Sequence, residues 1–196
     1  KNLKINPKNI YIADDLVDLV NNDLKNQFIN YCETEHGKLS YIKISSYNKD
    51  KLSDCFRIIQ GYEIKQNIVP WILKHKPMIS SEVNTRFKMV KTISKNSYEE
   101  SLDLRNEFLK EIDKNLPIDV ILLFPTTPLS APKKGMKDAE LADFRKKIMM
   151  FTSIGGLSSR PQISIPKFKG KTGPIGLSIL GYKNCDEILL ENLKIF

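Results

Sequence analysis

Two stretches of this 196-residue chain carry side chains able to touch a ligand. The first is "FPTTPLSAPKKG", residues 124–135, which follows the apolar run "DVILLF". Proline fixes φ and restricts the residue before it, so Thr126 and Thr127 sit on a stiff backbone. Their hydroxyls serve either a ligand or their own backbone. The second is "FTSIGGLSSRPQISIP", residues 151–166. Its paired glycines let a helix end approach another backbone closely. Ser158 and Ser159 invite a nucleophile reading, but a serine nucleophile needs a base in hydrogen-bond reach and an oxyanion hole. No histidine follows Ser158, and Arg160 is no base. A helix-to-strand turn rich in small residues is the preferred reading there. "KHKP", with Lys74 and Lys76 around His75, reads as solvated.

The remaining chemistry-bearing residues exclude more than they suggest. His36 and His75 are the only histidines, which removes a histidine-rich metal site, and both read as surface residues. Cys32, Cys55 and Cys185 are odd in number and lack a CxxC spacing, which argues against a disulfide framework or zinc site and for a reducing compartment. The carboxylates are scattered, with no pair spaced for glycosidase or metal chemistry. No catalytic residue, metal ligand or cofactor is assigned from these residues.

Composition is that of a globular protein, 41% hydrophobic and 28% charged, able to bury a core. The net charge of +8 comes mostly from lysine. A nucleic-acid groove interleaves arginine with exposed aromatics, whereas the densest basic stretch, "KFKGKTG", has one aromatic. A solvated lysine surface and no nucleic-acid partner are therefore expected. No apolar run approaches the roughly 20 residues that span a bilayer, and no basic-then-apolar signal peptide is expected at the start. No membrane partner and a cytoplasmic location are expected. The first residue is Lys1, so a piece of a longer protein is expected.

The elements that must position these stretches follow from periodicity. "NIYIA" reads as a strand, and Leu16, Val20, Leu24 and Phe28 recur at steps of four, one face of a helix. Gly37 suits a helix C-cap, and "LSYIKIS" reads as a second strand, which completes a βαβ unit. Residues 53–74 are helical with a kink or break at Pro70, and Val83, Phe87 and Val90 mark a shorter helix. Residues 94–117 form the clearest helix, with Ser97 and Glu100 as a capping box and Pro117 as its end. "DVILLF" is apolar on both faces and belongs at the centre of a covered sheet. Leu141, Phe144, Ile148 and Phe151 mark a helix that Gly155 and Gly156 end or bend. "QISIP" and "IGLSILG" are strands, and Asp186 caps a last helix.

Taken in order, "DVILLFPTTPLSAP", a helix, "FTSIGGLSSRPQISIP", a variable loop and "GPIGLSILG" resemble the C-terminal half of the amidase signature family. "FRIIQGYEIKQNIVPWILKHKPMISSEVNTRF" is similar to that family's helix pair, and the first 45 residues to its βαβ extension. Among its members the chain resembles the cyanobacterial-type amidases and the amidase-like domains of plant plastid import receptors. It departs at Gly156, where many members have Asn, at Ser159, where many have Gly, and at Pro70. The resemblance implies an α/β fold, part of a mixed β-sheet flanked by helices. It divides the chain into a βαβ-like extension (1–48), a helical segment (49–117), and sheet strands with pocket loops (118–196). It also implies hydrolysis of a carboxamide C–N bond by a serine nucleophile, a second serine and a lysine base, all in an N-terminal part absent from this sequence. What it leaves here is a pocket wall for a small amide: Thr126, Thr127, Thr152, Ser153, Ile154 and Gly155. The expected partners are that amide and the missing N-terminal half, in the same enzyme or as a separate chain. The rival expectation is a non-catalytic amidase-like domain that binds or interacts.

Overall fold

The computed structural model describes residues 4–196, apart from the side chains at 82 and 138. A βαβ unit opens it. Strand β1 (Ile10–Ala13) runs into a short helix α1 (Asp14–Val17), then helix α2 (Asn22–His36), then β2 (Ser40–Ile42), which pairs parallel to β1. Four helices follow: α3 (Lys49–Asn67), α4 (Val69–His75), α5 (Ser81–Lys91) and α6 (Lys95–Asn115). Strand β3 (Ile121–Pro125) then returns to pair parallel with β1. Helix α7 (Asp138–Ser158), the hairpin β4 (Gln162–Lys169) and β5 (Pro174–Leu180), and helix α8 (Asp186–Glu191) close the chain.

The five strands form one mixed sheet in the order β2-β1-β3-β5-β4, with β5 antiparallel to both neighbours. Every residue of β3 is buried, as an apolar run at the centre of a covered sheet must be. The strands read from "DVILLF" and "IGLSILG" are thus direct neighbours, Leu122 opposite Leu180 and Phe124 opposite Ser178. A single apolar cluster runs from Ile5 to Phe196 and draws on the sheet and on α2, α3, α6 and α7.

Several boundaries differ from the sequence reading. The single helix through Leu16 and Phe28 is two, because the Asn21 side chain accepts from Leu24 N and starts a new helix. Leu16, Val20, Leu24 and Phe28 are nonetheless all buried. Helix α6 starts three residues earlier than the Ser97–Glu100 box: Ser94 is its N-cap, its hydroxyl accepting from Ser97 N, while Glu100 accepts from the Asn96 amide. The strand "LSYIKIS" shrinks to Ser40–Ile42 at a sheet edge. Cys185, not Asp186, occupies the N-cap of α8. His36 is half-buried rather than a surface residue, with its ring against Phe196 and Tyr31, and burial lowers its pKa. At Pro70 the chain breaks as expected: α3 ends at Asn67, and proline falls in the first turn of α4, where its missing N–H costs nothing.

The largest correction is at Gly155 and Gly156, which do not end α7: it runs on to Ser158. The glycines serve packing on both sides of that helix. A Cβ at Gly156 would lie 2.6 Å from the Phe56 ring of α3, and one at Gly155 would lie 2.7 Å from Gln162 Oε1 of β4. Gly156→Val is therefore expected to destabilise the fold by about 1–3 kcal/mol through overpacking. A chemical-denaturation midpoint equal to wild type would show that α3 and α7 yield freely.

The segment between β2 and α3 is held by charge. The Asp15 carboxylate accepts from Ile44 N and Ser45 N and pairs with Lys49 Nζ at 2.6 Å. Glu111 of α6 accepts from Ser45 Oγ at 2.5 Å and Ser46 N at 2.7 Å. Burial pushes the Glu111 carboxyl up, but these bonds outweigh it and leave its pKa lowered. Elsewhere, large apolar side chains stand exposed along α4, α5 and their connection: Ile68, Trp71, Leu73, Met78, Val83 and Met89.

Candidate functional site

The proline loop leaves β3 beside the β4–β5 hairpin. Thr126 N donates to Gly176 O at 2.7 Å, which extends the β3–β5 ladder by one residue. Side chains on a strand alternate between faces. Phe124 and Thr126, Gly176 and Ser178, and Gln162 and Ser164 therefore share one face of the sheet. On it four polar side chains form an unbroken chain. Gln162 Nε2 donates to Ser178 Oγ at 2.8 Å, Ser178 Oγ donates to Thr126 Oγ1 at 3.0 Å, and Thr126 Oγ1 meets Ser164 Oγ at 2.8 Å. Ser178 is fully buried, Gln162 and Thr126 are half-buried, and Ser164 is exposed. Gly176 leaves the space: a Cβ there would overlap the hydroxyls of both Thr126 and Ser164.

The six candidate residues take different positions around this chain. Thr126 is part of it, and Gly155 abuts it through Gln162 Oε1. Thr127 turns its hydroxyl to Leu129 O at 2.7 Å, the local bond of a stiff turn. Thr152 is exposed on α7 and bonds Ile148 O. Ser153 and Ile154 are fully buried, and Ser153 Oγ is without a hydrogen-bond partner. Gln162, Ser164 and Ser178 were missed. Their signal was the alternation in "QISI", which puts Gln162 and Ser164 on one face, and the lone polar side chain of Ser178 in the apolar run "IGLSIL".

Two clefts border the loop, of about 490 and 600 Å³, and both are lined by Asn21, Pro128 and Leu129. None of the six candidate residues lines either cleft.

The turn after α7 is built for support rather than attack. Ser158 is buried and donates to Gly155 O. Ser159 has φ of 54°, a left-handed conformation that explains why glycine is common at this position in the family the chain resembles. Arg105 holds the turn, Nε donating to Leu157 O and Nη2 to Ser159 Oγ. Arg160 is buried and reaches Asp113, whose pKa the Lys183 ammonium lowers by hydrogen bond and charge. The three cysteine thiols are free, and burial pushes their pKa up to about 12 for Cys32 and about 11 for Cys55 and Cys185, which leaves them protonated and unreactive. Among the described residues no group of His, Cys, Asp and Glu is placed to hold a metal ion, and no helix is long and apolar enough to cross a membrane.

Comparison with known proteins adds sequence and fold relatives. No protein-family model matches the chain. It is 30% identical over 141 residues to Amidase 1 of Oryza sativa subsp. japonica, covering 71% of this chain and 32% of that protein. It is 27% identical over 143 residues to Outer envelope protein 64, chloroplastic, of Arabidopsis thaliana, covering 73% of this chain and 24% of that protein. The chain thus spans about a quarter to a third of the length of these curated relatives. Among solved structures, an amidase superposes with a TM-score of 0.75 at 16% identity over 97% of this chain and 45% of its own. The urea amidolyase of K. lactis gives 0.76 at 17% identity over 99% of this chain and 12% of its own.

Proposed function

We infer that this chain, which is related to the amidase signature family in sequence and has its fold, is the C-terminal part of an amidohydrolase that cleaves a carboxamide C–N bond. Its polar sheet face would form one wall of the substrate pocket. The observation that carries this is the hydroxyl chain from Gln162 through Ser178 and Thr126 to Ser164, a built polar surface that starts buried and ends in solvent. Such a wall orients an amide while a nucleophile attacks its carbonyl, and holding a substrate in an attack geometry is itself a large share of catalysis. The serine nucleophile, second serine and lysine base would come from a preceding part of the protein. That part would also cover the apolar side chains exposed on α5. In this reading residues 1–48, 49–117 and 118–196 are segments of one amidase domain, acting in the cytoplasm.

The test is ammonia release from a panel of small amides by the protein expressed from its whole reading frame, and by the 196 residues alone. The whole protein is expected to turn over at least one amide, with kcat/KM reduced about tenfold by Thr126→Val, the loss of one hydrogen-bonding group at a polar wall. The 196 residues alone are expected to release none. Turnover by the whole protein that Thr126→Val and Ser178→Ala both leave unchanged would remove this face from the pocket.

A second reading, a non-catalytic amidase-like domain used for binding, is favoured by the presence of Outer envelope protein 64 and the Pisum sativum translocon at the outer membrane of chloroplasts 64 among the relatives. It expects no ammonia from any amide by the whole protein, together with retained binding of a partner.

A further inference from the structure

We propose that the end of α4 and the connection after it, residues 71–78, dock on an anionic lipid surface. Trp71, Leu73 and Met78 enter the boundary between headgroups and acyl chains, and the ammonium groups of Lys74 and Lys76 meet the anionic headgroups. The inference goes beyond the amidase reading and does not depend on it, since vesicle binding and ammonia release are read separately.

The sequence leaves this segment lightly held. Helix α4 starts anew at Val69 and Pro70, and its anchor is the buried Val69 at the end that packs on α3. Lys76 ends the helix in the left-handed conformation, φ 45°, its N–H donating to Ile72 O. Pro77, which cannot continue a helix, follows. Away from the anchor, Trp71 is 54% exposed and Leu73 60%, and Met78 is as exposed as in an open chain. The indole of Trp71 lies 5.3 Å from the ring of His75, itself exposed. Single exposed apolar side chains are ordinary on a protein surface. Three of this size within eight residues at one helix end are a group, and such groups mark interaction sites.

Charge selects the occupant. Between Glu63 and Glu82 the sequence holds Lys65, Lys74 and Lys76 and no acid. Lys65 is turned inward, its Nζ donating to Ile93 O at 2.7 Å. Lys74 and Lys76 are exposed among the apolar side chains. The core of a protein interface is poor in lysine, because the ammonium must give up its water there. A second copy of the chain would set these lysines against their own kind. A nucleic acid would cover Leu73 and Met78 with phosphate and water. A lipid interface takes all three residue types at once: the indole at headgroup level, leucine and methionine among the first acyl carbons, and lysines that reach back to anionic headgroups. The expectation of no membrane partner came from the lack of a spanning run, and a segment that lies on the surface needs none.

The experiment sediments the protein expressed from its whole reading frame with two kinds of vesicle, phosphatidylcholine alone and phosphatidylcholine with phosphatidylserine. Wild type is expected to bind the anionic vesicles more tightly and to lose that preference at high salt. Lys74→Gln and Lys76→Gln should each weaken binding to the anionic vesicles about fivefold, the factor that matches about 1 kcal/mol per basic residue near such a surface, and leave binding to phosphatidylcholine unchanged. Leu73→Ser with Met78→Ser should weaken binding to both kinds about tenfold. All four positions are exposed, so each variant should melt as wild type does, which separates lost binding from a lost fold. Trp71 reports depth directly. The fluorescence of wild type less that of Trp71→Phe isolates its indole, which should shift to the blue on anionic vesicles and be quenched by brominated acyl chains. Failure of wild type to bind anionic vesicles, binding that these substitutions leave unchanged, or an indole emission that vesicles do not move overturns the proposal. So does a wild-type dimer that Trp71→Ser dissociates, which would give this surface to a second copy of the chain.

Discussion

Asp15→Ala is expected to cost about 3–5 kcal/mol of stability, because it leaves the charge of Lys49 buried and unpaired. The Lys49 side chain is only 6% exposed and that of Asp15 12%. The ammonium's other contacts are carbonyl oxygens, Ser45 O and Tyr47 O, both at 3.4 Å, too long to replace a carboxylate at 2.6 Å. The same substitution strips the acceptor from Ile44 N and Ser45 N, so the turn between β2 and α3 loses its anchor on α1. The pair Asp15→Asn with Lys49→Met separates the two losses. It removes both charges and keeps one side-chain acceptor for the backbone, and is expected to recover most of the stability. The measurement is the denaturant midpoint of each variant. A double variant no more stable than Asp15→Ala would mean that the backbone bonds, not the buried charge, carry the effect.

Phe124→Ala is expected to cost a similar 3–5 kcal/mol, by a different route. Phe124 is fully buried on the central strand, opposite Ser178 and one position along the same face from Thr126. Its removal forfeits the transfer free energy of the ring and opens a cavity that a strand paired on both sides cannot close by moving. The cavity would lie beside the hydroxyl chain, on the face that Phe124 shares with Thr126 and Ser178. Urea denaturation followed by circular dichroism checks the first effect. A loss under about 1 kcal/mol would mean the ring's neighbours collapse into its space.

Much of the architecture was legible because the strongest signals were composed of many residues. "DVILLF" is apolar on both faces, and that required a central, covered strand, which β3 is. The βαβ opening followed from a change of period, two to four and back. Single-residue signals fared worse, since several residues competed for one role. Ser94 and Ser97 are both sound caps, and α6 takes the earlier one because that adds a turn whose Ser97 N–H and Asn96 amide both find partners. The paired glycines read as a break on propensity alone, yet tertiary contacts with Phe56 and Gln162 need two bare Cα positions inside a helix. Of the site, Thr126 and Gly155 were visible as unusual residues in a loop and a helix. Gln162, Ser164 and Ser178 were not, because an alternating strand is first evidence of a strand. That its polar half faces a threonine three segments away depends on the antiparallel register, which no local pattern states.

The sheet also dictates the order in which the chain can fold as it is made. Ile10 pairs with Ile121, and Ile12 with Leu123, across the whole helical run from α3 to α6. The first strand therefore leaves the ribosome long before its central neighbour exists, with only the three-residue β2 to pair with. Pairings this distant in sequence close slowly, since the loop entropy comes before the contact that repays it. The β4–β5 hairpin, by contrast, is local and the last strand pair synthesised, and docks on β3 after a single helix, α7, whereas β1 waits through the run from α3 to α6. Synthesis thus runs through a stage at which β1 is finished and unpaired on one edge, its Ile10 and Ile12 bare. A nascent chain of this kind is a natural client for chaperones that bind short apolar strands, and slowed translation after α2 would prolong its exposure rather than help it fold.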